Sequence, residues 1–204
     1  MAKRLLGLSD EGRLVVKLPG GVEEPIPTRR QAYAFLLMDC SDSMGGSKLS
    51  EAKQGASAFV LDAHKKHYLV GLITFATDAE LLCKPDETPA TLHSVISALE
   101  TGGSTNMGDA IELAKEELTS FAGVRAIVIA TDGMPDDKVA TLRAADEAKA
   151  SGIDIIAIGT GDADQEFLAR VASRSDLAVM VQAAQLKAGI GAAVNLLPAI
   201  RKER

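Results

Sequence analysis

The chain has 204 residues, of which 47% are hydrophobic and 25% are charged, proportions that are typical of a soluble globular protein. Its net charge of −6 argues against a nucleic-acid backbone or an anionic membrane surface as the main partner. No apolar run reaches the length of a signal peptide or of a membrane span. We therefore expect a cytoplasmic protein without membrane insertion.

The first thirty residues differ in pattern from the rest of the chain. Residues 14–18 have the pattern of a short strand, and the Pro-Gly-Gly at residues 19–21 is a strong turn signal. The prolines within residues 23–30 disfavour any regular element there. We predict an N-terminal arm or hairpin over residues 1–30, with partner docking as its alternative role, and one α/β domain over residues 31–204.

From residue 32 onward the chain alternates between strand and helix patterns. Near-continuous apolar runs, typical of strands buried on both faces of a parallel sheet, occur at residues 32–38, 68–75, 125–130, 153–159 and 177–181. A further run, residues 79–83, follows the second strand after a connection short enough for a hairpin, which predicts an antiparallel edge strand.

Amphipathic patterns fill the intervals between these strands and follow the last of them. Ser47 is the expected cap of the first helix, Thr88 followed by Pro89 is a start signal for the second, and Asp164 is the expected cap of the fifth. The last pattern predicts a helix over about residues 182–200. The order β-α-β-β-α-α-β-α-β-α-β-α predicts a doubly wound α/β fold. Its mostly parallel central sheet has about six strands, one antiparallel edge strand, and helices on both faces.

The two cysteines of the chain, Cys40 and Cys83, are too few for a disulfide framework. In the predicted sheet they lie on the first and third strands, with the second strand between them. Two strand spacings are roughly 9.5 Å, which is too far for a disulfide. We predict two free thiols and a reducing compartment.

Side chains with oxygen atoms follow two of the predicted strands. Asp39, Ser41 and Ser43 come at the end of the first strand, and Asp132 follows the fourth. In an open α/β sheet, ligands bind at the carboxyl ends of the strands. If the two strands are neighbours, these side chains share one crevice, and Thr105 is placed to lean in from the loop before the third helix. Hard divalent cations prefer such oxygen ligands.

The pattern Asp39-x-Ser41-x-Ser43 resembles the metal-ion-dependent adhesion site (MIDAS) of von Willebrand factor type A (vWA) domains. These domains also carry a Thr before the third helix and an Asp after the fourth strand, where this chain has Thr105 and Asp132. The resemblance covers about residues 32–200. It implies that Ser41, Ser43 and Thr105 bind Mg²⁺ or Mn²⁺ directly, while Asp39 and Asp132 act through water. An open position on the ion then takes an acidic side chain of a partner protein.

Plainer interpretations of the same residues are also open. Asp39 and its serines are compatible with a bare turn that caps a helix, and Thr105 with a helix cap after a flexible glycine connection. Asp132 is compatible with a simple turn. Asp42, a second acid inside the motif, is expected to face solvent.

The resemblance favours a non-enzymatic protein-binding module that depends on a divalent cation, and the net charge of −6 argues that it does not bind nucleic acid. One alternative is a phosphatase-like hydrolase with a metal ion and with Asp39 as its nucleophile. The haloacid-dehalogenase type would require a second Asp at the position of Ser41, and no His beside the site supplies a general base. A scaffold with a purely structural metal is the other alternative.

Overall fold

The protein is described by a computed structural model, in which the described residues form two compact units. The described ranges are 5–8, 14–17, 23–25, 31–161 and 163–200. The first unit contains a three-stranded antiparallel sheet in the order β1-β2-β3. Its strands are β1 (Leu5–Leu8), β2 (Leu14–Lys17) and β3 (Glu23–Pro25).

The strand predicted at residues 14–18 is confirmed as β2, but the prediction that residues 23–30 hold no regular element is wrong for β3. Pro25 is the last residue of that strand and pairs with Val15 of β2. A proline is tolerated there because β3 is an edge strand of this sheet, so its missing N–H need not serve a further neighbour. The turn predicted at residues 19–21 lies outside the described residues.

The second unit, Gln31–Ile200, is built on a six-stranded sheet in the order β6-β5-β4-β7-β8-β9. Its strands are β4 (Ala32–Asp39), β5 (Tyr68–Phe75), β6 (Ala79–Cys83), β7 (Val124–Thr131), β8 (Asp154–Gly159) and β9 (Ala178–Met180). Every neighbouring pair is parallel except β5 and β6, which are antiparallel. The predicted doubly wound fold with one antiparallel edge strand is therefore confirmed.

The α-helices among the described residues cover the sheet. They are α1 (Ser47–Lys65), α2 (Pro89–Ala98), α3 (Met107–Thr119), α4 (Lys138–Ala150), α5 (Gln165–Val171) and α6 (Leu186–Ala192). None of them combines the length and the apolar character that a membrane crossing requires. The buried residues are mostly aliphatic, and all eight positions of β4 are buried, so the core lies along the central strands.

Two of the three predicted helix caps are confirmed. Thr88 Oγ1 accepts a hydrogen bond from the Thr91 N–H at 3.2 Å, and Asp164 Oδ1 accepts one from the Glu166 N–H at 2.9 Å. The prediction for Ser47 is wrong, because it is the first helical residue and Gly46 precedes it as the cap without a side-chain bond. Gly46 has a φ of 74°, which a glycine adopts without steric cost.

The long last helix predicted over residues 182–200 is also wrong. Helix α6 ends after seven residues and is followed by a 3₁₀ turn at Ala193–Asn195. Pro198 disfavours a helical conformation of the residue before it. Tertiary contacts hold the segment instead, because Lys66 Nζ donates to the Val194 carbonyl at 2.8 Å and the Tyr68 hydroxyl to the Pro198 carbonyl at 2.5 Å.

Both cysteines are free, as predicted, and the structure buries both of them. Burial raises the pKa of the Cys40 thiol to about 11, and burial also raises the pKa of the Cys83 thiol. At pH 8 a pKa of about 11 leaves roughly one thiolate in a thousand, and the thiolate is the reactive form. We expect both cysteines to react with a colorimetric disulfide reagent only after denaturation. Stoichiometric reaction of the native protein within minutes would contradict this.

Candidate metal centre

The carboxyl ends of β4 and β7 lie side by side, because the two strands are parallel neighbours. Asp39 is the last residue of β4, and Asp132 directly follows β7. From β4 the sheet continues through β5 and β6, and from β7 it continues in the opposite direction through β8 and β9. The crevice between β4 and β7 is therefore a topological switch point, where open α/β sheets bind ligands.

Hydrogen bonds join four of the five predicted metal-binding residues. Ser41 Oγ lies 3.0 Å from Ser43 Oγ, and Ser43 Oγ donates to Asp132 Oδ1 at 2.6 Å. Asp39 Oδ1 accepts from the Ser41 N–H at 2.9 Å, and Asp39 Oδ2 accepts from the Thr131 hydroxyl at 2.6 Å. Residues from two distant parts of the chain thus form one polar cluster.

Thr105 is attached to this cluster through its loop. Its N–H donates to Asp136 Oδ2 at 3.0 Å, and its carbonyl accepts from the Asp136 N–H at 3.0 Å. The Gly103 carbonyl of the same loop accepts from the Asp42 N–H at 3.0 Å, which ties this loop to the Asp-x-Ser-x-Ser loop. Backbone contacts therefore hold the Thr105 loop against the Asp-x-Ser-x-Ser loop.

The interpretations of Asp39 and Thr105 as helix caps are wrong. Asn106 rather than Thr105 caps α3, since its Oδ1 accepts from the Asp109 N–H at 3.3 Å. Asp39 closes a short turn onto the Ser41 N–H, and the residue that precedes α1 as its cap is a glycine. Asp42 is exposed, as predicted.

Both acids of the centre are buried, and the surroundings of Asp39 disfavour its negative charge. Asp39 has 0% and Asp132 has 1% of its surface exposed. Burial is the main cause that raises the pKa of the Asp39 carboxyl. Hydrogen bonds from Ser41 and Thr131 lower that pKa in part, and the Asp132 carboxylate adds a smaller increase. A cation bound beside both acids would relieve this cost.

Lys48 also belongs to the centre, although the sequence analysis missed it. It is the second residue of α1, and its Nζ lies 2.5 Å from Asp132 Oδ2 and donates to the Ser43 carbonyl at 3.1 Å. Thr131 and Asp136 were missed as well. The only sequence signal for them was that they lie near Asp132. Their contacts with Asp39 and Thr105 can be seen only when the fold is known.

The residues of the centre fit a hard divalent cation. Their donor atoms are all oxygens, from two buried carboxylates and from the hydroxyls of Ser41, Ser43 and Thr105. Across residues 31–161 and 163–200 and the three described N-terminal strands, no group of three or more His, Cys, Asp or Glu side chains is arranged to hold a metal. An ion at this edge would therefore depend on the hydroxyls.

The von Willebrand factor type A domain family matches residues 35–190 of the chain. The chain belongs to this family. The family is one of protein-interaction and adhesion modules. The match contains the Asp-x-Ser-x-Ser loop, the Thr105 loop and Asp132, the parts of the sequence on which the resemblance was based.

Two curated relatives extend the comparison for this vWA domain. Mouse matrilin-3 is 41% identical over 171 residues, which cover 76% of this chain and 35% of matrilin-3. A UPF0353 protein of Mycolicibacterium paratuberculosis is 28% identical over 156 residues, covering 67% of this chain and 46% of that protein. The chain thus spans less than half the length of each of these relatives.

Two solved structures have the same fold at low sequence identity. The vWF domain of the type V pili tip protein Mfa5 from Porphyromonas gingivalis superposes with a TM-score of 0.74 at 14% identity. The match covers 87% of this chain and 98% of that domain. The pilus adhesin SpaC from Lactobacillus rhamnosus GG has a TM-score of 0.70 at 16% identity, covering 95% of this chain and 34% of SpaC.

Proposed function

We propose that this vWA domain is a non-enzymatic, cytoplasmic module that binds a partner protein through a divalent cation. Ser41, Ser43 and Thr105 bind Mg²⁺ or Mn²⁺ directly, and Asp39 and Asp132 act through water. The remaining position on the ion takes an Asp or Glu carboxylate of the partner. The observation that carries the proposal is the hydrogen-bonded cluster at the switch point, which links the first loop to Asp132.

The chemistry of the donor set supports capture of an anion. Neutral hydroxyls in the inner shell leave most of the charge of the ion available to an incoming carboxylate, while the two buried acids balance part of that charge from outside. Ser43 is exposed, so the cluster is reached from solvent at this residue. An exposed ligand suits an ion that exchanges a water for a partner better than it suits a purely structural ion, which proteins enclose.

Asp39 is poorly placed to act as the nucleophile of a hydrolase. Its surface is fully buried and both of its carboxylate oxygens accept hydrogen bonds, from Ser41 and Thr131. None of the hydrogen bonds of the cluster within the described residues involves a histidine that could act as a general base. Turnover of phosphate or carboxylate esters that disappears in Asp39→Asn would favour the hydrolase instead.

The proposal predicts that capture of a partner depends on both the metal and Thr105. Proteins retained from a lysate of the source cells with Mg²⁺ or Mn²⁺ should be lost when a chelator is added, and Thr105→Ala should lose them about as completely. Ser104→Ala is the matched control, because Ser104 is the exposed neighbour in the same loop. Quantitative mass spectrometry of the retained proteins measures the effect. The proposal would be refuted by a partner that the wild type retains as well in a chelator as with metal and that Thr105→Ala retains as well as the wild type does.

A further inference from the structure

The Lys48 ammonium occupies one side of the candidate metal centre. It lies 2.5 Å from Asp132 Oδ2, while the other oxygen of that carboxylate, Oδ1, accepts from the Ser43 hydroxyl at 2.6 Å. Lys48 Nζ also donates to the Ser43 carbonyl at 3.1 Å. The ammonium and the predicted ligands therefore share the same carboxylate and the same loop.

The Lys48 ammonium acts as the counter-ion of the carboxylates in the centre. Two buried carboxylates, Asp39 and Asp132, face one edge, and Lys48 forms an ion pair with one of them. The side chain of Asp132 in this pair is 0% exposed, so water screens the attraction weakly on that side. A divalent ion brought to the same edge would be repelled by the ammonium and would take over its role.

The side chain of Lys48 is also able to leave. It is 29% exposed, it starts from the first turn of α1, and its flexible four-carbon stem can turn the ammonium outward to solvent. A bound ion and an outward-turned lysine are therefore compatible.

We infer that Lys48 is a resident cation that competes with the divalent ion for Asp132 and so lowers the affinity of the centre for metal. This inference rests on the proposed metal site. It identifies Lys48 as a residue that determines affinity rather than as a ligand. Metal binding and release of the Lys48–Asp132 ion pair are then one coupled event.

Calorimetric titration of the full chain with MnCl₂ tests the inference. Lys48→Met keeps the length of the side chain and removes its charge, whereas Lys48→Arg keeps the charge. Lys65→Met is the matched control, because Lys65 forms an ion pair with Asp62 on the same helix, roughly 26 Å from Lys48 along the axis. We expect Lys48→Met to bind Mn²⁺ about five- to tenfold more tightly than the wild type. Lys48→Arg and Lys65→Met should stay close to the wild type.

The outcomes separate this inference from the proposed function. Equal or weaker Mn²⁺ binding by Lys48→Met, with a wild type that binds, overturns the role of Lys48 and leaves the metal site standing. If Lys48→Met binds Mn²⁺ and the wild type does not, the result supports both the metal site and the competing role of Lys48. Absence of binding in every variant contradicts both.

Thermal unfolding gives a second measurement that does not depend on the titration. In a chelator, Lys48→Met should unfold at a lower temperature than the wild type, because the two buried carboxylates then lack their counter-ion. Saturating Mn²⁺ should close or reverse that difference. An equal loss of stability with and without Mn²⁺ would mean that Lys48 acts only as a structural ion-pair partner, and would overturn the inference.

Discussion

Replacing Asp39 with asparagine is expected to weaken Mn²⁺ binding by about 10- to 100-fold, the range measured when an outer-shell carboxylate of a metal site is lost. The amide has nearly the shape of the carboxylate, and its oxygen can still accept from the Ser41 N–H or the Thr131 hydroxyl, which both bond to Asp39. The negative charge is the main property that changes. The fold should persist, because burial already disfavours the ionised form, as the raised pKa of this carboxyl indicates.

The control for this variant is Asp42→Asn, which removes an exposed carboxylate from the same loop. Titration calorimetry should give the wild-type affinity for Asp42→Asn, and circular dichroism should show both variants folded. If the two substitutions weaken Mn²⁺ binding equally, the effect comes from the general charge of the loop. The assignment of Asp39 to the metal centre would then be wrong.

Replacing Gly71 with alanine is expected to lower the free energy of unfolding by about 3 kcal/mol. Gly71 pairs with Phe35 of the neighbouring strand, and a Cβ at Gly71 would lie 2.6 Å from Phe35 Cδ1 and closer still to Cε1. The ring is fully buried, so it cannot turn outward to solvent without losing its packing in the core. The gain of about 0.5–1 kcal/mol from removing a glycine in a strand is smaller than this clash.

Chemical denaturation measures this effect, with Gly102→Ala as the control because no atom lies within 4 Å of a Cβ there. The double variant Phe35→Leu/Gly71→Ala should be more stable than the sum of the single effects predicts, by about 1 kcal/mol or more, since the smaller side chain makes room for the new methyl group. Additive effects would show that contact with the Phe35 ring is not the cause.

Local sequence signals predicted most of the α/β unit correctly. The six strands of the large sheet and the helix starts at Thr88 and Asp164 are confirmed. These features depend on the pattern of apolar residues and on side chains that bond to the backbone two or three positions away. Such interactions form between neighbours in the chain, so the sequence alone contains them.

The errors arose where distant contacts overrule local preference. The last helix stops early in a segment that Lys66 and Tyr68 hold through backbone carbonyls. Pro25 ends a strand because β3 pairs along only one side of its sheet. Lys48 was missed altogether, since nothing near it in the sequence points to Asp132.

By itself, the sequence determined the order of strands and helices, the family resemblance and the five candidate residues of the metal centre that the resemblance implies, because these follow from residue types and their spacing. The tertiary structure decided that β4 and β7 are neighbours, and hence that Asp39 and Asp132 lie at one edge. It also decided which cation faces Asp132. Charges interact through space, so the electrostatics of the centre are set by the packing of segments that the sequence keeps far apart.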